Sequence, residues 1–237
     1  MREAKGKVMR AVLLLIGLAV LAGCSAPLVT SSDWPNKAAT PSLEAARQFA
    51  YVVSRVEPVA EAECRRRAAH LNCDFLIAVD DTPGVPVNAH QFLTDNGRPV
   101  LAFTYSLIET VKNADELAFV MGHEAAHHIS GHLQRQQASA QLGAEILAQI
   151  VVEDGGSARD VREAQKLGAV LGARRYSKEF ELEADALGTI VTKRAGFDAV
   201  RGAAFFARLP DPGNQLLGTH PPNAQRLQTV IRTAAKN

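Results

Sequence analysis

Aromatic side chains are scarce, at 5% of 237 residues with a single tryptophan, while alanine and leucine are plentiful; such a composition leans toward helix. No charge of one sign prevails. The formal net charge is +1, and of the 26 basic and 25 acidic residues the first 23 positions hold four and one, leaving 22 against 24 from Cys24 onward. A body with a net charge of −2 offers no electrostatic case for binding nucleic acid. Cysteine is limited to three; beyond Cys24 only Cys64 and Cys73 remain, and one pair does not make a four-ligand zinc site. The apolar run from Ala11 to Ala22 has twelve residues, too few for a permanent membrane span. No internal repeat is visible. What is left is one globular domain with appendages, 47% hydrophobic and 22% charged.

The short apolar run follows a basic segment (Arg2, Lys5, Lys7, Arg10) and ends in Leu21-Ala22-Gly23-Cys24. That order reads as a signal peptide over residues 1–23. The LAGC end resembles a bacterial lipobox, which implies cleavage before Cys24 and acylation of that cysteine; more than one acyl chain anchors stably in a bilayer. Ser25, by resemblance to sorted lipoproteins, implies an outer-membrane lipoprotein facing the periplasm. The plainer reading is an ordinary secretory signal followed by a chance cysteine. Residues 24–41, with Ser31, Ser32, Pro35 and Pro41 and no periodicity, read as a tether, and 42–237 as the folded domain. In an oxidising compartment Cys64 and Cys73, nine apart, are either bridged, worth about 2.5–3 kcal/mol of loop entropy, or two inert packed thiols.

The strongest pattern lies between Asn113 and His132, NADELAFVMGHEAAHHISGH. Asn113 is an N-cap candidate, and Glu116 stands three residues on, where it reaches back as in a capping box. Leu117 and Val120 continue at helical spacing onto Glu124 and His127. Two histidines four apart, His123 and His127, stand one turn above each other and can share a metal; Glu124 between them lies beside the metal position, placed to take a proton from bound water. The competing reading is a helix surface rich in His and Glu that matches HExxH by chance.

Around that helix the chain alternates short elements. Ser42 caps a helix with Phe49, Val52, Val53 and Val56 on one side, which Pro58 should kink or restart. Phe75–Val79, Val87–Phe92 and Pro99–Phe103 read as strands, the last two joined through the hairpin signal Asn96-Gly97. Ser106–Val111 reads as a short helix. After His132, Leu142, Ile146 and Ile150 form a stripe closed by Gly155-Gly156, and Ser157 opens a helix toward Ala173. Residues 133–175 are then a packed helical hairpin or a mobile cover over the site. In YSKEFELEAD, Ser177 is the expected N-cap, and Phe180, Ala184, Leu187 and Val191 make an apolar stripe. Glu181 and Asp185 sit one turn apart beside it. They are either a solvated acidic turn or the missing parts of a His/His/Glu zinc site. In the second reading Glu181 is the third ligand and Asp185 accepts the free ring N–H of His123. Asp198–Leu209 is a further short helix. His220 either points into the cleft or is a plain loop histidine, and Arg226 either stabilises an oxyanion, holds an acidic partner near the metal or is solvated.

These segments resemble the zinc metallopeptidase family that includes the bacterial heat-shock membrane protease and the CAAX prenyl endoprotease, and more narrowly its periplasmic lipoprotein branch. The resemblance rests on NAH (Asn88–His90), GHEAAHHISGH (Gly122–His132), YSKEFELEAD (Tyr176–Asp185) and THPPNAQR (Thr219–Arg226), and covers about residues 45–235. It implies an α+β fold, a mostly helical zincin-like domain with a small β-sheet beside the HExxH helix. It implies one Zn²⁺ on His123, His127 and Glu181, Glu124 as general base, Asp185 behind a ligand, and His220 and Arg226 near the reacting centre. It also implies hydrolysis of peptide bonds in misfolded or unfolded envelope proteins, and an extended peptide is expected to add as a strand along the Val87–Phe92 or the Pro99–Phe103 edge. Three features depart from the family: His90 stands where an aromatic is expected, membrane helices are absent, and no helical-repeat domain follows. Two competitors remain open, a zinc-stabilised lipoprotein that binds or assembles partners without cutting them, and a zinc amidase acting on cell-wall peptides.

Overall fold

The computed structural model describes residues 41–211 and 220–236. The signal peptide, Cys24, the tether through residue 40 and Thr219 lie outside the described residues. The architecture is the α+β one expected, mostly helical with a three-stranded sheet. No helix among the described residues is long and apolar enough to cross a membrane.

Ser42 opens helix α1 (Leu43–Arg67), its Oγ accepting from the Ala45 amide at 3.2 Å. Val52, Val56, Ala60 and Cys64 are fully buried, so one apolar stripe runs past Pro58. Pro58 does not restart the helix: α1 is one continuous element of 25 residues. Ser54, whose carbonyl Pro58 leaves without an amide partner, is exposed like Pro58 itself, on the side of the helix that solvent reaches. Cys64 is disulfide-bonded to Cys73, Cα atoms 5.6 Å apart, which pins the end of α1 to the approach of the sheet.

The strands are β1 (Leu76–Asp80), β2 (Ala89–Leu93) and β3 (Pro99–Thr104), in the order β1-β3-β2. β1 runs parallel to β3, with Leu76 opposite Val100. β2 is antiparallel to it, with Leu93 opposite Pro99 across a loop that holds Gly97 at φ +78°. β3 is buried along its whole length and paired on both sides. An extended peptide therefore finds no edge on Pro99–Phe103, contrary to one expectation from sequence; among the described residues the free edges belong to β1 and β2.

β3 leads into α2 (Tyr105–Thr110) and then α3 (Ala114–Ile129), the HExxH helix. The Glu116 amide donates to Asn113 Oδ1 at 3.1 Å, as the cap requires. Glu116 reaches back one residue further than a capping box does, accepting from the Lys112 amide at 2.7 Å, because Arg208 holds the same carboxylate with bonds of 2.5 and 2.6 Å. Burial pushes the Glu116 carboxyl up, but Arg208 and the Lys112 amide more than offset it and hold it below its ordinary value. A depressed carboxylate stabilises the fold above the unfolded value, about 4.3, and that contribution is lost as pH falls through the folded value. Glu116→Gln is expected to lose about 2 kcal/mol in urea unfolding at pH 7. The deficit should shrink as pH falls below the unfolded value of about 4.3; a gap that stays constant as the carboxylate is titrated would contradict the assignment.

After α3, Gly131 at φ +65° turns the chain into α4 (His132–Glu153), which is followed by α5 (Ala158–Arg174). These two pack on each other through Gly143, Gly168 and Gly172. A Cβ added to Gly143 or Gly168 would lie 2.2 or 2.1 Å from the other's carbonyl oxygen. Such close backbones leave no room between them for large side chains. Leu142, Ile146 and Ile150 accordingly face outward, 55%, 50% and 45% exposed. The hairpin reading stands, with small residues inside and the sequence's apolar stripe outside.

α6 (Ser177–Arg194) begins without a side-chain cap. Ser177 is its first helical residue, and its Oγ donates back to the Ala173 carbonyl at 3.3 Å instead of capping. α6 crosses α3 at a pair of glycines. A Cβ on Gly188 would sit 2.9 Å from both His123 N and Cα, and one on Gly122 would sit 2.9 Å from the Gly188 carbonyl oxygen. The obstructing atoms are backbone, so no rotamer change relieves the overlap. Gly188→Ala gains about 1 kcal/mol of helix propensity but forces the helices apart, and a net loss of about 1–2 kcal/mol is expected by urea unfolding, with weakened zinc retention. The chain closes with α7 (Ala199–Ala203), a 3₁₀ turn over Ala204–Arg208 in place of one helix through Leu209, and α8 (Asn223–Ala234).

Candidate metal centre

The glycine crossing sets α6 against the ligand face of α3. His123 and His127 bring their Nε2 atoms to 3.0 Å from each other. Glu181 reaches both, Oε2 at 3.5 Å from His123 Nε2 and Oε1 at 3.4 Å from His127 Nε2. Zinc bonds of about 2.0–2.1 Å give a tetrahedron with edges of about 3.3 Å, close to these spacings. Two imidazoles and a carboxylate, all within 4.8 Å, are a donor set capable of holding one Zn²⁺.

Each ligand is held from behind. Asp185, fully buried, lies 2.9 Å from His123 Nδ1 and takes bonds of 2.9 and 2.7 Å from Arg226 Nε and Nη2. The Arg226 guanidinium stacks 3.5 Å over the Phe206 ring and comes within 3.4 Å of Glu181 Oε2. Burial pushes the Asp185 carboxyl up, but Arg226 and His123 hold it below its usual value. Glu181 is likewise pushed up by burial and then brought well below the carboxylate range by His123, His127 and His220. Burial alone would lower His123; hydrogen bonds to Asp185 and Glu181 hold it instead at about 9, so a metal must displace that proton.

His220 is half exposed, its Nδ1 3.1 Å from Glu181 Oε2. Glu124, His220 and Arg226 all line an open cleft of about 440 Å³ that also contains the three ligand residues. One wall is the β2 edge with Asn88 and His90; Phe180 and Phe206 add apolar surface. His90 sits on that wall, stacked on Phe92 at 5.6 Å. From the hairpin only the first turn of α4, with His132, Leu133 and Gln136, borders the cleft; residues 137–176 contribute nothing to it. In this conformation the hairpin does not cover the cleft.

Two residues near the ligands had no role in the reading from sequence. His132 Nδ1 lies 2.9 Å from His127 Nδ1, and its Nε2 lies 2.9 Å from Glu183 Oε2. Burial holds His132 down at about 4, with Glu183 opposing. The signal was present, a fourth histidine in HEAAHHISGH and a third glutamate in EFELE, but only the turn at Gly131 folds the former back on His127. The neighbouring His128 points the other way, 2.7 Å from the Asn72 carbonyl oxygen and edge-on to Phe75, and belongs to the core.

Residues 46–234 match the family model described as peptidase family M48. The chain is 36% identical over 109 residues to the putative beta-barrel assembly-enhancing protease of Vibrio cholerae, covering 42% of this chain and 22% of that protein. It is 30% identical over 173 residues to the beta-barrel assembly-enhancing protease of Escherichia coli, covering 65% and 32%. It is 25% identical over 186 residues to the mitochondrial metalloendopeptidase OMA1 of Homo sapiens, covering 72% and 34%. The aligned part thus spans between about a fifth and a third of these relatives' length. With the match running through the whole region that brings His123, His127 and Glu181 together, the chain belongs to peptidase family M48, the zinc metallopeptidases.

Proposed function

We propose that this protein is a zinc-dependent endopeptidase of the bacterial envelope that hydrolyses unfolded or misfolded envelope polypeptides. The observation that carries the reading is the convergence of Glu124, His220 and Arg226 with the His123/His127/Glu181 set in one open cleft. Zinc, when held by those three side chains, supplies a Lewis acid for the scissile carbonyl and acidifies a water. Glu124, on the same turn of α3 as both histidines, takes that water's proton and returns it to the leaving amine. His220, half exposed beside Glu181, donates toward the developing oxyanion. Arg226 is committed to Asp185 and serves by holding that carboxylate behind His123.

The β2 edge supports this substrate class. A peptide adding there as a further strand is bound through its backbone, which asks little of its side chains and requires an extended, unfolded segment. The names of the bacterial relatives point to the same setting. In this reading residues 1–23 are removed, Cys24, the one cysteine outside the disulfide, is acylated at the outer membrane, and residues 24–41 tether the domain over the periplasm.

The test incubates the zinc-loaded protein with an outer-membrane β-barrel polypeptide kept unfolded in dilute urea, and with the same polypeptide folded in detergent. Cleavage of the unfolded form alone, stopped by a chelator and restored by zinc, is the expected result. Full zinc occupancy with the unfolded chain left intact would favour a non-proteolytic binding factor.

A further inference from the structure

We propose that His132 and Glu183 position the second histidine ligand, forming a relay from Glu183 through His132 to His127 that does for His127 what Asp185 does for His123. The proposal rests on the metal-centre reading above. Three elements meet in the relay: His127 near the end of α3, His132 as the first residue of α4, and Glu183 on α6 two residues beyond Glu181.

The direction of the hydrogen bonds follows from the one group that only accepts. The Glu183 carboxylate, 2.9 Å from His132 Nε2, takes its bond from an N–H on that nitrogen. In a neutral imidazole the other nitrogen then carries a lone pair, so His132 Nδ1 accepts from His127 Nδ1–H across 2.9 Å. That leaves His127 Nε2 bare, and it is the nitrogen facing His123 Nε2 and Glu181. One carboxylate two bonds away thus selects the metal-binding tautomer of His127.

The surroundings lock the geometry as well as the polarity. The His132 ring lies flat on Phe180, centroids 4.6 Å apart and planes at 11°. Arg135 covers Phe180 at 4.4 Å and donates to Glu183 Oε2 at 2.7 Å, holding the carboxylate at the end of the relay. His132 is 5% exposed at its side chain and Glu183 50%, so the relay runs from the ligand through a buried ring to the protein surface. It also fastens the base of the α4–α5 hairpin to a ligand, which makes His132 a joint as well as a support.

His132→Phe keeps the ring on Phe180 and deletes both nitrogens. Its zinc affinity, measured by competition with a chromophoric chelator, should fall about 10–100-fold. The visible bands of the cobalt-loaded protein should shift, while melting of the chelator-treated protein stays close to wild type. His132→Asn places an amide oxygen where Nδ1 was and should recover most of the affinity. Glu183→Leu, at a half-exposed position, removes the terminal acceptor without touching the core and should weaken zinc several-fold; it serves as the second variant if His132→Phe fails to fold. Wild-type affinity and an unchanged cobalt spectrum in these variants would overturn the relay. Absence of stoichiometric zinc in the wild-type protein would instead overturn the metal-centre reading on which it depends.

Discussion

Glu124→Gln is expected to lower kcat for peptide-bond hydrolysis by about 10²–10⁴-fold while zinc content stays at one ion per chain. Glutamine has the shape of glutamate and keeps its hydrogen-bonding reach, but it takes no proton from water at neutral pH. Glu124 is not one of the three grouped donors, so its charge is dispensable for holding the ion. It is half-buried in the cleft wall, so the substitution places no new group in the core. Steady-state cleavage of an unfolded polypeptide, with zinc measured on the same sample, reads both quantities. Wild-type cleavage by a fully loaded variant would remove Glu124 from the role of base and with it the hydrolytic mechanism.

The second large effect belongs to Asp185. Its carboxylate is fully buried and compensates a guanidinium that is itself 7% exposed at the side chain. Asp185→Ala strands Arg226 without a partner on that side, and losing one member of a buried pair destabilises by about 3–5 kcal/mol. The same change removes the acceptor from His123 Nδ1, so zinc affinity should fall by about 10–100-fold as well. The two losses are separable. Asp185→Leu combined with Arg226→Met deletes the pair together, and buried pairs exchanged for apolar groups are often near neutral in stability. The double variant should therefore unfold in urea close to wild type and still bind zinc poorly. Recovery of zinc affinity along with stability would mean that Asp185 serves the fold alone.

The expectations that the structure corrected share one character. Pro58 restarts a helix in principle, but the carbonyl it leaves free, that of Ser54, falls on the exposed side of α1. Ser177 has the residue type of a cap, but it already lies inside the helix and bonds backward to Ala173. Leu142, Ile146 and Ile150 have the spacing of a buried stripe, but glycines bring α4 and α5 too close together for them to enter. Pro99–Phe103 has the pattern of a strand, and nothing in its own residues says that both its sides are paired. In each case the local signal is real, and a neighbour decides what it means.

Residue types and their spacing determined the elements that short-range physics governs: the HExxH helix with its Asn113 cap, the apolar stripe of α6 and the three strands. The same spacing offered Glu181 and Asp185 one turn apart as candidates, because helical periodicity puts them on one face. It carried no information about distance across more than fifty residues. The crossing of two backbones at Gly122 and Gly188, the buried pair of Asp185 with Arg226, and the turn at Gly131 that returns His132 to His127 exist only in the packed structure. Periodicity is a property of neighbours along a chain, whereas a metal site is a set of distances between elements, and close packing is what fixes those.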